Sequence, residues 1–144
     1  MVISTETVVI ARPPAEVFSF TIDLRSQPLW DTEIESVSDG AGTGVEVGRR
    51  VQATYTPFLT ESDGTITVLE VLRGERVVLR ADFAGLTSRI TYTYEREGDG
   101  TRFASEVEVA PTGMLRILAP VVRRRVRRSN RRGVANLKRV LEGR

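Results

Sequence analysis

Between residues 34 and 110 polar and apolar side chains alternate with a period of two, and after Ala110-Pro111 the period becomes that of a helix. A period of two places neighbouring side chains on opposite faces of a strand, whereas steps of three and four place them on one helical stripe. The 144-residue chain is therefore predicted to form a single α+β domain over residues 1–144, with many strands and one long C-terminal helix.

Turn signals divide the alternating region into strands. Residues 73–74, residues 84–85 and the GDG sequence at 98–100 are typical of tight turns, which favour an antiparallel meander. The glycine-rich stretch at 39–44 is predicted to be a loop. With an N-terminal strand at residues 5–11, about seven strands are expected, the others at residues 34–38, 48–56, 64–72, 75–83, 87–97 and 101–110.

Two short helices are predicted after the first strand. Pro13-Pro14 followed by Glu16 suits a first helical turn, and Ser26 is the expected cap of a second helix that reaches Trp30. The last segment has an apolar stripe, and Pro120 is predicted to mark a kink or the true start of its helix. The stripe comprises Leu115, Leu118, Val122, Val126, Ser129, Gly133, Leu137 and Val140.

The chain contains neither cysteine nor histidine. This excludes disulfides, thiolate nucleophiles, Cys/His metal sites and any triad that uses imidazole. We therefore expect no cofactor, no bound transition metal and no covalent intermediate. Carboxylates, tyrosine, serine, threonine, lysine and arginine are the remaining candidates for chemistry, and no EF-hand spacing of acids occurs.

Charge is distributed unevenly along the chain. Residues 114–144 contain eleven basic residues and one acid, a net charge of +10, whereas residues 1–113 have a net charge of −8. The arginines at 123–125, 127–128 and 131–132 are predicted to form a solvated face that binds polyanions weakly. No specific nucleic-acid motif accompanies them. Without a signal-peptide core or a membrane span, a cytoplasmic location is expected.

The alternation also predicts which side chains point inward. One face of the sheet would carry three tyrosines and a serine but no carboxylate or arginine, because the opposite choice would bury charge. For the strand at residues 64–72 the alternation leaves the buried face ambiguous. Acids at 31, 33, 61, 63 and 70 are predicted to be solvated at the rim. The inward tyrosines fit plain core and ligand contact equally well. Candidate cavity residues are Tyr55, Phe83, Tyr92, Tyr94 and Phe103 on the sheet, with Leu118 and Val122 on the helix.

Four stretches carry a resemblance to a known family: VIARPPAEVF at 9–18, PLWD at 28–31, GDGTRF at 98–103 and NLKRVLE at 136–142. They resemble the polyketide cyclase/dehydrase-like branch of the START-related (SRPBCC) superfamily, which also includes lipid-transfer domains, the birch-pollen allergen and plant hormone receptors. The resemblance covers essentially the whole chain. It implies a helix-grip fold, in which a curved antiparallel sheet wraps around the C-terminal helix, and it places Trp30 beside the pocket mouth.

Three functional hypotheses follow. The leading one is binding or carriage of a small, largely apolar molecule, such as a lipid or an aromatic polyketide, between the sheet and the helix. The second is a cyclase or dehydratase in which tyrosine hydroxyls and a rim carboxylate act on a polyketone. The third is peripheral association with anionic membranes or nucleic acid through the arginine-rich helix. The sequence contains no signal for the oligomeric state or for the identity of the ligand.

Overall fold

A computed structural model describes residues 2–38, 47–55, 62–83, 86–111 and 113–144. The predicted loop at 39–44, the turn at 84–85 and Glu61 lie outside these residues. The 3₁₀ turns are Leu24–Ser26 and Gly113–Arg116. The other elements are β1 (Val2–Ile10), α1 (Pro14–Ile22), α2 (Gln27–Trp30), β2 (Ile34–Val37), β3 (Arg50–Tyr55), β4 (Ser62–Leu72), β5 (Arg76–Phe83), β6 (Leu86–Glu97), β7 (Gly100–Pro111) and α3 (Ala119–Glu142).

The described strands form one curved, wholly antiparallel sheet in the order β1-β7-β6-β5-β4-β3-β2. The predicted meander is confirmed, and β1 joins it by pairing with the last strand, β7. Gly74 and Gly98 lie in the hairpin turns with φ of 72° and 60°, a conformation that glycine adopts without steric cost. The concave face of the sheet packs against α3, as expected for a helix-grip fold.

The short helices follow their sequence signals in part. Pro14 and Glu16 lie in the first turn of α1. Ser26 immediately precedes α2, but the predicted side-chain cap is wrong, because its hydroxyl donates to the carbonyl of Phe20 at 2.7 Å. The same hydroxyl accepts a long hydrogen bond of 3.5 Å from the indole nitrogen of Trp30. Ser26 therefore joins α1 to the ring of Trp30.

The long helix α3 begins at Ala119, so Pro120 lies in its first turn and the start of the helix, not a kink, explains the proline. The predicted stripe was wrong at its N-terminal end, because residues 113–116 form a separate 3₁₀ turn and Leu118 is 48% exposed. The prediction extended the helical period to the N-terminal side of Pro120, and it therefore assigned Leu115 and Leu118 to the helix. The residues that α3 buries are Val122, Asn130, Gly133, Val134, Leu137 and Leu141.

A β-bulge explains why β4 could not be assigned a buried face from sequence. Its pairing with β5 shifts between Val68 and Glu70, so the side-chain alternation changes phase there. Ile66 and Val68 are buried before the shift, and Val71 packs against the core after it. A single alternation cannot describe both halves of this strand.

Two of the motifs that carry the family resemblance meet at the end of α3. The carboxylate of Glu142 accepts hydrogen bonds from the backbone N–H of Ala11 and from the ammonium of Lys138, each at 2.8 Å. The guanidinium of Arg12 donates to the carbonyl of Arg144 at 2.8 Å. These contacts fasten the C-terminus of α3 to the turn after β1. Their role is structural, which is why such motifs indicate the fold better than the function.

No helix in the described part of the chain combines the length and the apolar character needed to cross a membrane.

Candidate functional site

A cavity of about 120 Å³, partly open to solvent, lies between the concave face of the sheet and the N-terminal half of α3. Its wall is mostly apolar, and the polar side chains are concentrated on α2, on the following turn and on α3. The apolar lining consists of Trp30, Ile34, Ile66, Leu79, Ala81, Phe83, Leu86, Ile90, Val107, Val109, Val122, Val126 and Gly133. The remaining lining residues are Gln27, Asp31, Glu33, Tyr55, Ser88, Tyr92, Ser105, Arg125, Ser129 and Asn130.

One wall of the cavity is a stacked aromatic pair. The rings of Tyr55 and Phe83 are nearly parallel, with centroids 3.9 Å apart. The pair spans β4 at Gly64, where a Cβ atom would lie 2.9 Å from Cε2 of Tyr55 and 2.7 Å from Cβ of Phe83. The absence of a side chain at Gly64 therefore lets the two rings meet across the strand.

The hydroxyl of Tyr55 is buried and has no hydrogen-bond partner among the described residues. Burial, together with the nearby negative charges of Asp31 and Asp82, raises the pKa of Tyr55 well above its usual value. The group therefore stays protonated and remains a donor at neutral pH. A buried donor without an acceptor is unfavourable by about 1–3 kcal/mol, and such groups in native proteins call for an explanation.

A second tyrosine approaches the cavity from β6. The hydroxyl of Tyr92 accepts a hydrogen bond of 3.3 Å from the side-chain amide of Gln27, and its ring lies 5.7 Å from the ring of Trp30. Burial, followed by the charge of Asp31, raises the pKa of Tyr92. Both tyrosine hydroxyls therefore lie within electrostatic reach of the same carboxylate.

Asp31 directly follows α2 and lines the cavity. Burial is the main reason that its pKa rises to about 6, and the neighbouring Glu33 carboxylate adds to the increase. A hydrogen bond of 2.9 Å from the backbone N–H of Glu33 opposes it. Half-burial within an apolar wall therefore gives this acid a pKa near the operating range of a general base.

An ion pair joins the turn after α2 to α3 beside the cavity. The guanidinium of Arg125 lies 3.3 Å from the carboxylate of Glu33. Burial raises the pKa of Glu33, and the pairing with Arg125 opposes that rise.

Further along α3, the Asn130 amide donates to the carbonyls of Ser4 and Ser105 at 3.3 and 3.0 Å. These contacts hold α3 in place over the sheet.

Five of the eight predicted ligand residues line the cavity: Trp30, Tyr55, Phe83, Tyr92 and Val122. The structure places the other three elsewhere. Tyr94 bonds Thr21 through its hydroxyl at 2.6 Å, and Phe103 has no exposed surface; both belong to the packed core. Leu118 precedes α3 and faces outward because that helix starts at Ala119.

Two of the acids predicted to be solvated, Asp31 and Glu33, instead line the cavity. The prediction failed because α2 ends at Trp30, and the turn that follows brings both acids to the mouth of the cavity. Asp63 is exposed and Glu70 pairs with Arg76, as expected for rim positions. Arg125, predicted to be part of a solvated face, also lines the cavity.

Sequence reasoning missed Gln27 and Asn130 as lining residues. Asn130 could have been noticed, because it is a polar residue on the buried side of α3, between Val126 and Val134. Gln27 carried no comparable signal. Within the described ranges, no group of three or more acidic side chains is arranged to hold a metal ion.

The family model described as "Polyketide cyclase / dehydrase and lipid transport" matches residues 1–142. The chain belongs to this family. It is thus a member of the START-related superfamily, and the resemblance inferred from its four motifs is confirmed. No curated protein matches the chain.

Solved structures share the fold at low sequence identity. TTHA0849 from Thermus thermophilus superposes with a TM-score of 0.79 at 18% identity, covering 98% of both chains. A START superfamily protein from Mycobacterium smegmatis has a TM-score of 0.71 at 15% identity, covering 98% of this chain and 94% of that one. DynU16, from the dynemicin biosynthetic locus, has a TM-score of 0.65 at 16% identity, covering 97% of this chain and 47% of that one. At these identities the likeness establishes the fold alone.

Proposed function

We propose that this family member binds a small, largely apolar molecule that contains one hydrogen-bond acceptor, in the cavity between the sheet and α3. The observation that carries the proposal is the buried hydroxyl of Tyr55, which has no hydrogen-bond partner in the described part of the chain and lies in a mostly apolar cavity. Sites for small molecules typically combine an apolar lining with a few polar groups that orient the ligand. The family description, which combines cyclases with lipid transport, agrees with an apolar ligand.

The volume limits the size of the ligand. An apolar cavity of about 150 Å³ holds one benzene molecule, so the 120 Å³ available here suits one ring or a short branched chain. A fused polyketide or a full lipid exceeds this volume and would extend through the open side of the cavity. The proposed contacts are Trp30, Tyr55, Phe83, Tyr92 and Val122.

Acetophenone is a suitable probe, because it joins one ring to one carbonyl acceptor. Cumene has nearly the same shape without the acceptor. We expect titration calorimetry to show that acetophenone binds and that Tyr55→Phe weakens its binding by about tenfold, the value of one neutral hydrogen bond. Cumene binding should be unchanged by that substitution.

Tyr94→Phe is the matched control. It removes a hydroxyl that already bonds Thr21 at 2.6 Å and lies outside the cavity lining. We expect it to lower the free energy of unfolding by about 1 kcal/mol and to leave acetophenone affinity unchanged. Tyr55→Phe should not destabilise the free protein. Equal affinities of parent and Tyr55→Phe for acetophenone would contradict the proposed role of this hydroxyl.

A second candidate function is proton transfer on a bound carbonyl compound. It is favoured by Asp31, whose pKa of about 6 suits a general base, within electrostatic reach of Tyr55 and Tyr92. In this hypothesis Asp31 removes a proton next to the carbonyl while the Tyr55 hydroxyl stabilises the negative charge that develops on its oxygen.

Exchange of the methyl protons of acetophenone in D₂O, followed by NMR, separates the two functions. If the protein only binds acetophenone, the methyl protons should exchange at the rate measured in buffer alone. An enzyme accelerates it, and Asp31→Asn should then abolish the acceleration without abolishing binding. An acceleration that survives Asp31→Asn would rule out Asp31 as the base.

A further inference from the structure

Exposed apolar side chains are concentrated just before and within the first turn of α3. Of the ten large apolar residues that are exposed in the described chain, four fall between residues 114 and 121. They are Met114 at 82% exposure, Ile117 at 79%, Leu118 at 48% and Val121 at 56%, and we call them the apolar patch. Single exposed apolar residues are ordinary, but a cluster marks a surface that contacts something else.

The local geometry places these four side chains on one short segment. Met114 and Ile117 are three residues apart across the 3₁₀ turn, a spacing at which side chains align, and the N–H of Ile117 donates to the carbonyl of Met114 at 3.1 Å. Leu118 is the N-cap residue of α3, and Val121 lies in its first turn. Val122, the next residue, points inward and lines the cavity.

An arginine-rich surface continues from the apolar patch along α3. Val121, Arg124, Arg128 and Arg132 follow at steps of three and four and are all exposed, so they share the outer stripe of the helix. The arginine face, which we define as the exposed arginines of α3 between residues 123 and 132, consists of Arg123, Arg124, Arg127, Arg128, Arg131 and Arg132. Among the described residues only Arg131 of this set forms an ion pair, with Glu6 at 3.6 Å.

We propose that the apolar patch and the arginine face together dock this protein onto the surface of an anionic lipid bilayer. Interfacial segments of this kind insert apolar side chains at the boundary between headgroups and acyl chains while basic residues contact lipid phosphates. The charge distribution supports this orientation. Residues 114–144 carry +10 and would be attracted to the bilayer, whereas residues 1–113 carry −8 and would be repelled from it.

Two other occupants fit the surface less well. Nucleic acid would account for the arginines through phosphate contacts but would leave the four apolar side chains exposed. A second copy of this chain would cover the apolar patch but would bring two sets of six arginines together. A bilayer accommodates both features at once.

Vesicle flotation at 0.15 M NaCl tests the proposal. We expect the protein to bind vesicles of phosphatidylcholine and phosphatidylglycerol at 7:3 and to bind pure phosphatidylcholine at least tenfold more weakly. Arg124→Gln with Arg128→Gln should weaken binding to the mixed vesicles by roughly twenty-five-fold, about fivefold for each arginine. Met114→Ser with Ile117→Ser should weaken it by at least about tenfold.

Matched controls remove the same groups elsewhere. Arg73→Gln with Arg96→Gln removes two exposed arginines, one in the turn between β4 and β5 and one on β6, and Leu29→Ser with Leu72→Ser removes two exposed leucines. Each control should change binding less than twofold, and thermal melts should show that every variant is folded. The result is independent of the cavity, because no substituted residue lines it.

Three outcomes would overturn the proposal. The first is equal binding to both vesicle types. The second is loss of binding in the arginine variant but not in the Met114/Ile117 variant, together with competition by duplex DNA at the same salt; this would identify general polyanion binding. The third is a concentration-dependent dimer in sedimentation velocity that Met114→Ser with Ile117→Ser abolishes, which would identify the apolar patch as a contact between copies.

Discussion

The concave face of the sheet is filled differently at its two ends. At the end covered by α1 and the C-terminal half of α3, Phe18, Tyr94 and Phe103 interlock with ring centroids 5.3–5.5 Å apart, and Leu137 and Leu141 have no exposed surface. We call this the packed end. At the other end, Tyr55 and Phe83 stack on each other and face the cavity. We call this the cavity end.

The two ends use the same types of residue for different purposes. The hydroxyl of Tyr94 meets Thr21 at 2.6 Å, whereas that of Tyr55 meets no partner in the described chain. An aromatic side chain therefore stabilises the fold at the packed end, whereas at the cavity end a similar side chain leaves space and hydrogen-bonding capacity unused. If the cavity end exists to hold a ligand, substitutions there should affect binding more than stability.

The largest expected difference is between two phenylalanines. Phe103→Ala at the packed end should lower the free energy of unfolding by about 3–5 kcal/mol, because it opens a new void in a filled core. Phe83→Ala at the cavity end should lower it by only about 1–2 kcal/mol, because the ring already borders empty space. Denaturant unfolding of both variants measures the difference. Equal losses would mean that the two ends are packed alike.

The next comparison enlarges two buried alanines. Ala53 lies in the core outside the cavity lining, so Ala53→Leu should overpack the interior and lower the free energy of unfolding by about 1–3 kcal/mol. Ala81 lines the cavity, so Ala81→Leu should lower it by less than about 1 kcal/mol. The same substitution should abolish acetophenone binding by filling the space. A well-folded Ala81→Leu protein that still binds the probe would place the ligand elsewhere.

The smallest expected effect concerns the charge at the cavity end. The pKa of Asp31 is raised to about 6, so the folded protein retains its proton at pH values where the unfolded chain has lost it. Stability contributed by that proton is present below the ordinary pKa of aspartate and is lost as the pH rises through about 6.

Asp31→Asn should therefore raise the free energy of unfolding at pH 7 by roughly 1–2 kcal/mol, an amount that allows for the partial exposure of the side chain. The asparagine can still accept the hydrogen bond from the backbone of Glu33. Below pH 4 the variant and the parent should be equally stable. Denaturation curves at pH 3.5, 5 and 7 measure this trend, and a difference that is constant across all three would show that Asp31 has an ordinary pKa.

The inward-facing side chains of most strands could be predicted from the sequence. The alternation correctly assigned the inward faces of β3, β5, β6 and β7, including Tyr55, Tyr92 and Tyr94. It was ambiguous for β4, where the bulge after Val68 changes its phase, and it placed Leu118 on a helix that begins one residue later. Bulges and helix starts depend on single local hydrogen bonds, which a periodic pattern averages over.

The sequence by itself determined the class of fold, the family and the exclusion of cysteine and histidine chemistry. Each of these depends on residue type or on local periodicity. Only the tertiary structure decided which inward residues face empty space, because a cavity is a mismatch of volume between elements far apart in the chain. Asp31, Tyr55, Tyr92 and Arg125 come from four different elements or turns, yet they line one cavity. Their shared environment, not their separate positions in sequence, raises the pKa of Asp31 and leaves the Tyr55 hydroxyl without a partner among the residues that the structure describes.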